Sequence, residues 1–143
     1  CMGRSRGGLT TKIHALVDSE GRPIRLKLTE GQAHDGASAR DMLDGIEAGQ
    51  TLLADRAYDA NWLRDQMAEQ GAWANVRALS TRRETFAFSS FVYRQRNAVE
   101  RFFNKLKHFR AVATRYDKRD DNYLASIQLA SIRIWLRTYE SVA

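Results

Sequence analysis

The sequence predicts a mixed α/β protein, a small sheet with helices packed on it, and three observations predict it. Two early segments alternate apolar with polar residues, which is the period of half-buried strands. Two short apolar runs, Thr51 to Ala54 and Ala72 to Val76, bracket a segment of helical character. The C-terminal third carries two long helical patterns. The resulting order is β-β-α-β-α-β-α-α, the pattern of a mixed sheet covered by helices. At 143 residues the chain falls within the size of one domain. Hydrophobic residues at 43% and charged residues at 28% suit a packed core and exclude a low-complexity chain.

Each element follows from local chemistry. Gly3 to Gly8 (GRSRGG) reads as a flexible basic lead-in. Thr11 to Val17 and Ile24 to Thr29 form a hairpin across the turn residues Asp18-Ser19-Glu20-Gly21. Ser38 to Ile46 reads as a short helix, and Thr51 to Ala54 as a buried strand ending at Asp55. Asn61 suits the cap of a helix from Trp62 to Gln70 that Gly71 ends. Ala72 to Val76 reads as a further strand, and Arg77 to Phe91 as a polar and aromatic connection. A helix is expected from Tyr93 to Phe109, then a charged loop from Thr114 to Asp121. The last helix, Asn122 to Tyr139, is apolar nearly all round and should be buried in its own domain or against a partner.

Composition narrows the function classes. Net charge is +6, and the excess is local: Arg77 to Arg119 holds 12 basic against 3 acidic residues, a net +9. Such a block favours a polyanion through phosphate neutralisation, although a solvated basic surface gives the same composition. The single cysteine, Cys1, excludes an internal disulfide, and three scattered histidines make no zinc-type cluster. No run reaches the length of a membrane helix, so a cytosolic protein is expected. Cys1 at the first position suggests a chain cut from something longer, or an internal start at Met2.

The expected helix after Phe91 concentrates the chemistry. At about 100° per residue, Tyr93, Arg96, Glu100 and Lys107 share a stripe about 60° wide. Val99, Phe102, Phe103, Leu106 and Phe109 lie on the other side. One face is thus free to bury aromatics while the other presents a tyrosine, two cations and a carboxylate. An amphipathic helix with an Arg96–Glu100 ion pair satisfies the same pattern.

These residues carry a resemblance. Tyr93-x2-Arg96-x3-Glu100-x6-Lys107 matches at every spacing the Y-(2)-R-(3)-E-(6)-K signature of insertion-sequence transposases. LADRAYD, Leu53 to Asp59, resembles the strand-end motif of their second catalytic aspartate. The opening GRSRGGLTTKIHALVD, the stretch QGAWAN and VERFFNKLKHFRAVATRYDK with ASIRIWLR are similar to the type-five group in particular. The resemblance is to DDE transposases and covers essentially the whole chain.

The resemblance implies a ribonuclease-H-like mixed sheet flanked by helices, and metal-dependent cutting and joining of DNA at element ends. Residues 1–143 would be a single partial catalytic domain. Asp55 and Glu100 would be catalytic carboxylates and ligands of Mg2+, two ions being expected in the complete site. Tyr93, Arg96 and Lys107 would contact DNA, and Arg56 with Asp59 are weaker candidates whose plainer reading is an exposed ion pair. The family's first aspartate and its central strand would lie upstream, leaving the fragment inactive and unstable, dimeric or rearranged by itself. Asp18 and Asp35 are the early acids available as substitutes, though Asp18 fits the hairpin turn and Asp35 a loop. Further implied partners are element-end and target DNA, further copies of the chain and the upstream segment, in a bacterial, nucleoid-associated setting. The alternatives are a truncated DNA-binding product that inhibits the full-length enzyme, and a metal-dependent nuclease. After Asn75 the relatives tend to carry a proline-containing basic stretch, where this chain reads Val76-Arg77-Ala78-Leu79.

Other conspicuous residues have plainer readings. His14 reads as a strand side chain, His34 as a loop residue, and His108 as facing solvent or phosphate. Trp62, Trp73 and Trp135 read as core. Arg82 and Arg83 suit DNA or solvent equally.

Overall fold

The computed structural model describes the backbone of residues 3–5, 8–31, 39–110, 112 and 119–142, and the side chains from 11 onward except 138, 141 and 142. It is a mixed α/β structure in two compact units, Cys1–Ala33 with Asn97–Ala143, and His34–Arg96.

In the first unit, β1 (Gly3–Ser5), β2 (Gly8–Val17) and β3 (Pro23–Glu30) form an antiparallel sheet in that order. Gly3–Ser5 is therefore a strand and not a lead-in: its backbone pairs with Gly8–Thr10. The β2–β3 hairpin forms as expected, with Thr11 opposite Glu30 and a register shift at Leu16/Val17. Asp18 holds its turn. Its carboxylate accepts from the amides of Glu20 and Arg22 at 3.0 and 2.9 Å and from Arg22 Nε at 2.7 Å. Gly21 sits at φ +80°, where a Cβ would lie 2.9 Å from the Ala98 carbonyl oxygen, so the turn admits glycine alone without a shift.

Alternate residues of the hairpin, Ile13, Ala15, Val17, Leu26 and Leu28, face two helices, α3 (Asn97–Leu106) and α4 (Asp120–Val142). Phe102 and Leu106 from α3 meet Tyr123, Ile127, Ala130 and Ile134 from α4, a single stripe at helical spacing. Within this chain α4 buries only that stripe, so burial all round in its own domain, one of the two expectations, is not met. Leu129, Ile132, Leu136 and Tyr139 on its other side are exposed within this chain. Trp135 is half-buried at the margin, donating from Nε1 to the Pro23 carbonyl at 2.8 Å beneath the Arg22 guanidinium. His14 is buried, its Nε2 2.7 Å from the Thr29 hydroxyl, in keeping with a strand side chain.

In the second unit, β4 (Thr51–Ala54) and β5 (Trp73–Val76) run parallel, joined by α1 (Asn61–Glu69). Leu63 and Met67 of α1 are fully buried, as is Val76 of β5. The expected helix at Ser38 to Ile46 is reduced to a 3-10 turn, Arg40–Leu43. That turn is tied to α1 by Gln66 and Gln70, whose amides donate to the carbonyls of Arg40, Leu43 and Ile46. Asn61 does not cap α1: the N-cap is Ala60, and the Asn61 side chain accepts from Arg82 Nη1 at 2.7 Å instead. Gly71 ends the helix as expected, at φ +72°. Trp62 and Trp73 are half-buried, and Trp62 lies beneath the Arg40 guanidinium.

The helix expected from Tyr93 to Phe109 is interrupted. A one-turn helix, α2 (Ser90–Tyr93), passes into a 3-10 turn at Arg94–Arg96 before α3 begins, and the unit boundary falls there. His34 and Asp35 lie outside the described residues, as does most of the loop before α4. Among the described residues no helix is long and apolar enough to cross a membrane.

Phe102 is 0% exposed at the centre of the first unit's core. Phe102→Ala is expected to lower stability by about 3–5 kcal/mol through the lost contacts and the cavity left behind. Urea unfolding measures it, and a loss below about 1 kcal/mol would remove Phe102 from the centre of that core.

Candidate functional site

Asp55 stands where β4 ends. The strand stops because the chain turns into a 3-10 turn, Arg56–Tyr58, with the Asp55 backbone extended (φ −74°, ψ 173°) as its cap. One carboxylate oxygen, Oδ1, accepts from the Ala57 amide at 2.9 Å. The residue is exposed, so the group fixes its own turn while facing solvent. Its position is the carboxyl end of a parallel strand pair, where open α/β sheets present ligand-binding groups. Ala54 pairs with Val76, so Asp55 and Arg77 leave the sheet side by side.

Asp59, four residues on, is placed quite differently from the expectation. It is no exposed partner of Arg56: its side chain is 0% exposed and makes two ion pairs, to Arg64 at 2.9 Å and Arg82 at 2.6 Å. Oδ2 also accepts from the Leu79 amide at 2.8 Å. Arg64 in turn donates to the Val76 carbonyl at 3.0 Å. The Phe86 ring lies against both guanidiniums, 3.9 Å from that of Arg64 and 5.1 Å from that of Arg82. Arg82 is thus structural, whereas Arg56 and Arg83 are exposed. The sequence signal for this cluster was faint, an Asp and an Arg five apart across a helix start.

A second anchor holds the segment around Tyr93. Asn75 of β5, 0% exposed, grips Ser89 from both sides: Oδ1 accepts from its amide at 2.9 Å and Nδ2 donates to its carbonyl at 3.0 Å. The Ser89 hydroxyl then accepts from the Val92 amide as the cap of α2. Tyr93 projects from this fixed turn into a group of rings and cations. Its ring lies 5.1 Å from that of Phe88, with the guanidiniums of Arg77 and Arg96 at 5.7 and 5.5 Å. The Arg94–Arg96 turn packs beside β4, the strand that ends at Asp55. The structure therefore brings Asp55, Arg56, Tyr93 and Arg96 into one unit.

Glu100 and Lys107 belong to the other. Glu100 lies on the exposed side of α3, opposite the buried Phe102 and Leu106. Lys107 and His108 follow the last helical residue and are exposed, the Lys107 amide still donating to the Phe103 carbonyl. Among the described residues, no group of three or more His, Cys, Asp or Glu side chains is gathered to hold a metal ion. Taken singly, each carboxylate is a hard oxygen donor of the kind that Mg2+ takes, alongside several waters.

The buried carboxylate sets a pH dependence. Burial raises the Asp59 carboxyl, but the Leu79 amide, Arg82 and Arg64 outweigh burial and hold it below its ordinary value of 3.8. Its contribution to stability is therefore complete above the ordinary carboxylate range and lost as pH falls through the lowered folded value. Asp59→Asn leaves two guanidiniums without their charge partner and is expected to cost about 3–5 kcal/mol near pH 7. The difference from the parent should shrink toward about pH 2. Urea midpoints at both pH values decide it; an equal difference at both would mean that the tie is not ionic.

Comparison with known proteins supplies the family. The transposase DDE domain family matches residues 2–135. A putative transposase for insertion sequence element IS6501 from Brucella ovis is 38% identical over 130 residues, which is 90% of this chain and the whole of that relative. A putative transposase for insertion sequence element IS402 from Burkholderia cepacia is 26% identical over 146 residues, 94% of this chain and 66% of that relative. No solved structure matches the chain. The protein belongs to the transposase DDE domain family.

Proposed function

We propose that this chain is part of the catalytic domain of an insertion-sequence DNA transposase, which cleaves strands at element ends and joins the 3′-hydroxyls to target DNA. The observation that carries this reading is Asp55: an exposed carboxylate at the carboxyl end of parallel β4, fixed by its own turn and flanked by a segment bearing Tyr93 and Arg96. An antiparallel β-hairpin followed by parallel strands and helices supports a ribonuclease-H-like organisation.

In this reading Asp55 and Glu100 are the carboxylates that would hold Mg2+. When bound, Mg2+ would stabilise the negative charge that builds on the attacking and leaving oxygens of in-line phosphodiester cleavage. The chain's own cations do the remaining work. Arg96 and Lys107 contact phosphates, fixing the register of the strand, and Arg56 adds a further contact beside Asp55. Tyr93, held between its neighbouring guanidiniums, positions the strand. A carboxylate supplied by an upstream segment completes the set, and further copies of the chain assemble with it on DNA.

The test is strand nicking of an element-end duplex with Mg2+, comparing the chain, the chain joined to its upstream coding segment, and variants of the joined form. Activity is expected in the joined form. Asp55→Asn and Glu100→Gln should each lower cleavage by about a thousandfold or more, several kcal/mol at about 1.36 kcal/mol per factor of ten. Duplex affinity should survive both changes. Undiminished cutting by Glu100→Gln would remove that residue from the site.

A further inference from the structure

Phe91 is 74% exposed, the most exposed large apolar side chain among the described residues. An exposed phenylalanine commonly sits on a loop that tolerates it. This one is on a turn tied down by side-chain hydrogen bonds. Ser89, which starts that turn, is gripped on both its amide and its carbonyl by the fully buried Asn75. The Ser89 carbonyl also accepts from the Tyr93 amide at 3.0 Å, closing the turn on which Phe91 stands. Two side-chain hydrogen bonds from inside the sheet thus fix the backbone immediately before an exposed ring. Preorganisation of this kind lowers the cost of binding, since little freedom remains to be lost.

The surroundings specify a partner. Residues 77–96 hold five arginines against one acid, Glu84. Of the five, Arg82 is committed to Asp59. Arg77, Arg83 and Arg94 are exposed. Arg94 follows Phe91 by three residues. Phe88, also exposed, meets Tyr93, with Arg77 over both rings. Exposed rings interleaved with guanidiniums are the surface that binds single-stranded nucleic acid, rings stacking on bases and cations tracking the phosphates. A paired duplex presents its backbone and groove edges and hides the faces of its bases, so such a surface selects unpaired nucleotides.

The geometry points to a stacking site for unpaired DNA bases on the Arg77–Arg96 segment, with Phe91 and Phe88 as the stacking surfaces and Arg77 and Arg94 as the flanking phosphate contacts. It rests on the proposed action on DNA and adds to it a preference for melted or frayed strand over intact duplex. The site lies beside β4, so bases bound there belong to the strand that approaches Asp55.

The test uses the 143-residue chain and a short oligonucleotide carrying 2-aminopurine, single-stranded or annealed to its complement. The chain should quench the fluorophore in the single strand, as stacking does. Phe91→Ala should weaken single-strand binding about tenfold and leave duplex binding within about twofold. Phe91→Trp should restore it, and Leu129→Ala, on the exposed face of α4, should change neither. Equal weakening of both DNA forms by Phe91→Ala, or of neither, overturns the stacking site while the proposed function stands. A change in sedimentation with unchanged single-strand affinity does the same and makes Phe91 a protein contact. Absence of binding to either DNA form at low salt removes the action on DNA, and the stacking site with it.

Discussion

The second unit depends on one buried charge. Asp59 has no access to water, and a carboxylate so placed is tolerated only if its oxygens are filled. Here they are: two arginines and a backbone amide take both. These bonds converge from three parts of the chain. The Asp59 amide belongs to the turn after β4, Arg64 to α1, and Arg82 with Leu79 to the connection that follows β5. A hydrophobic contact in the same place would stabilise without dictating which loop lies where. An ionic knot with directed hydrogen bonds fixes the path of the connection from residue 77 to 88 relative to the strand that ends at Asp55. Arg64 extends this control by donating to the Val76 carbonyl, at the last residue of β5.

Asn75 does for the next segment what Asp59 does for the connection. Both are polar groups from buried positions, and both spend their hydrogen-bonding capacity on backbone of a surface segment. Between them the two anchors determine where residues 77 to 93 run, and so where the rings of Phe88 and Tyr93 and the guanidinium of Arg77 meet. The first unit is organised on a different basis. Its core is apolar, built by alternate residues of a hairpin and one stripe each of two helices, and Glu100 is exposed because Phe102 and Leu106 are buried.

Elements set by periodicity and turn chemistry were legible in the sequence. The β2–β3 hairpin, the strands at Thr51 and Trp73, α1 and α4 all carry a local signal that packing reinforces. Asp55 at a strand end was legible too, because a short apolar run followed by a turn leaves little choice. What escaped is non-local. Gly3–Ser5 is a strand because Gly8–Thr10 offers it an edge, and nothing in GRSRGG announces that. Asn61 suited a cap by residue type, but Arg82, 21 residues away, takes its oxygen. Asp59 looked like half of an exposed pair since Arg56 is near in sequence; its true partners are five and 23 residues distant.

The interrupted helix shows most clearly where spacing stops being geometry. The spacing of Tyr93, Arg96, Glu100 and Lys107 describes one stripe of a single regular helix, turning by about 100° per residue. The 3-10 turn at Arg94–Arg96 winds more tightly, about 120° per residue, and the boundary between the two units falls directly after it. The four residues are then positioned by separate causes. Tyr93 is set by the Asn75 clamp on Ser89, and Arg96 by the turn packed beside β4. Glu100 and Lys107 follow from the burial of Phe102 and Leu106 in the other unit. A motif of fixed spacing is therefore compatible with a backbone that is not one regular helix: the spacing is a property of the sequence, while local packing decides how each residue is held.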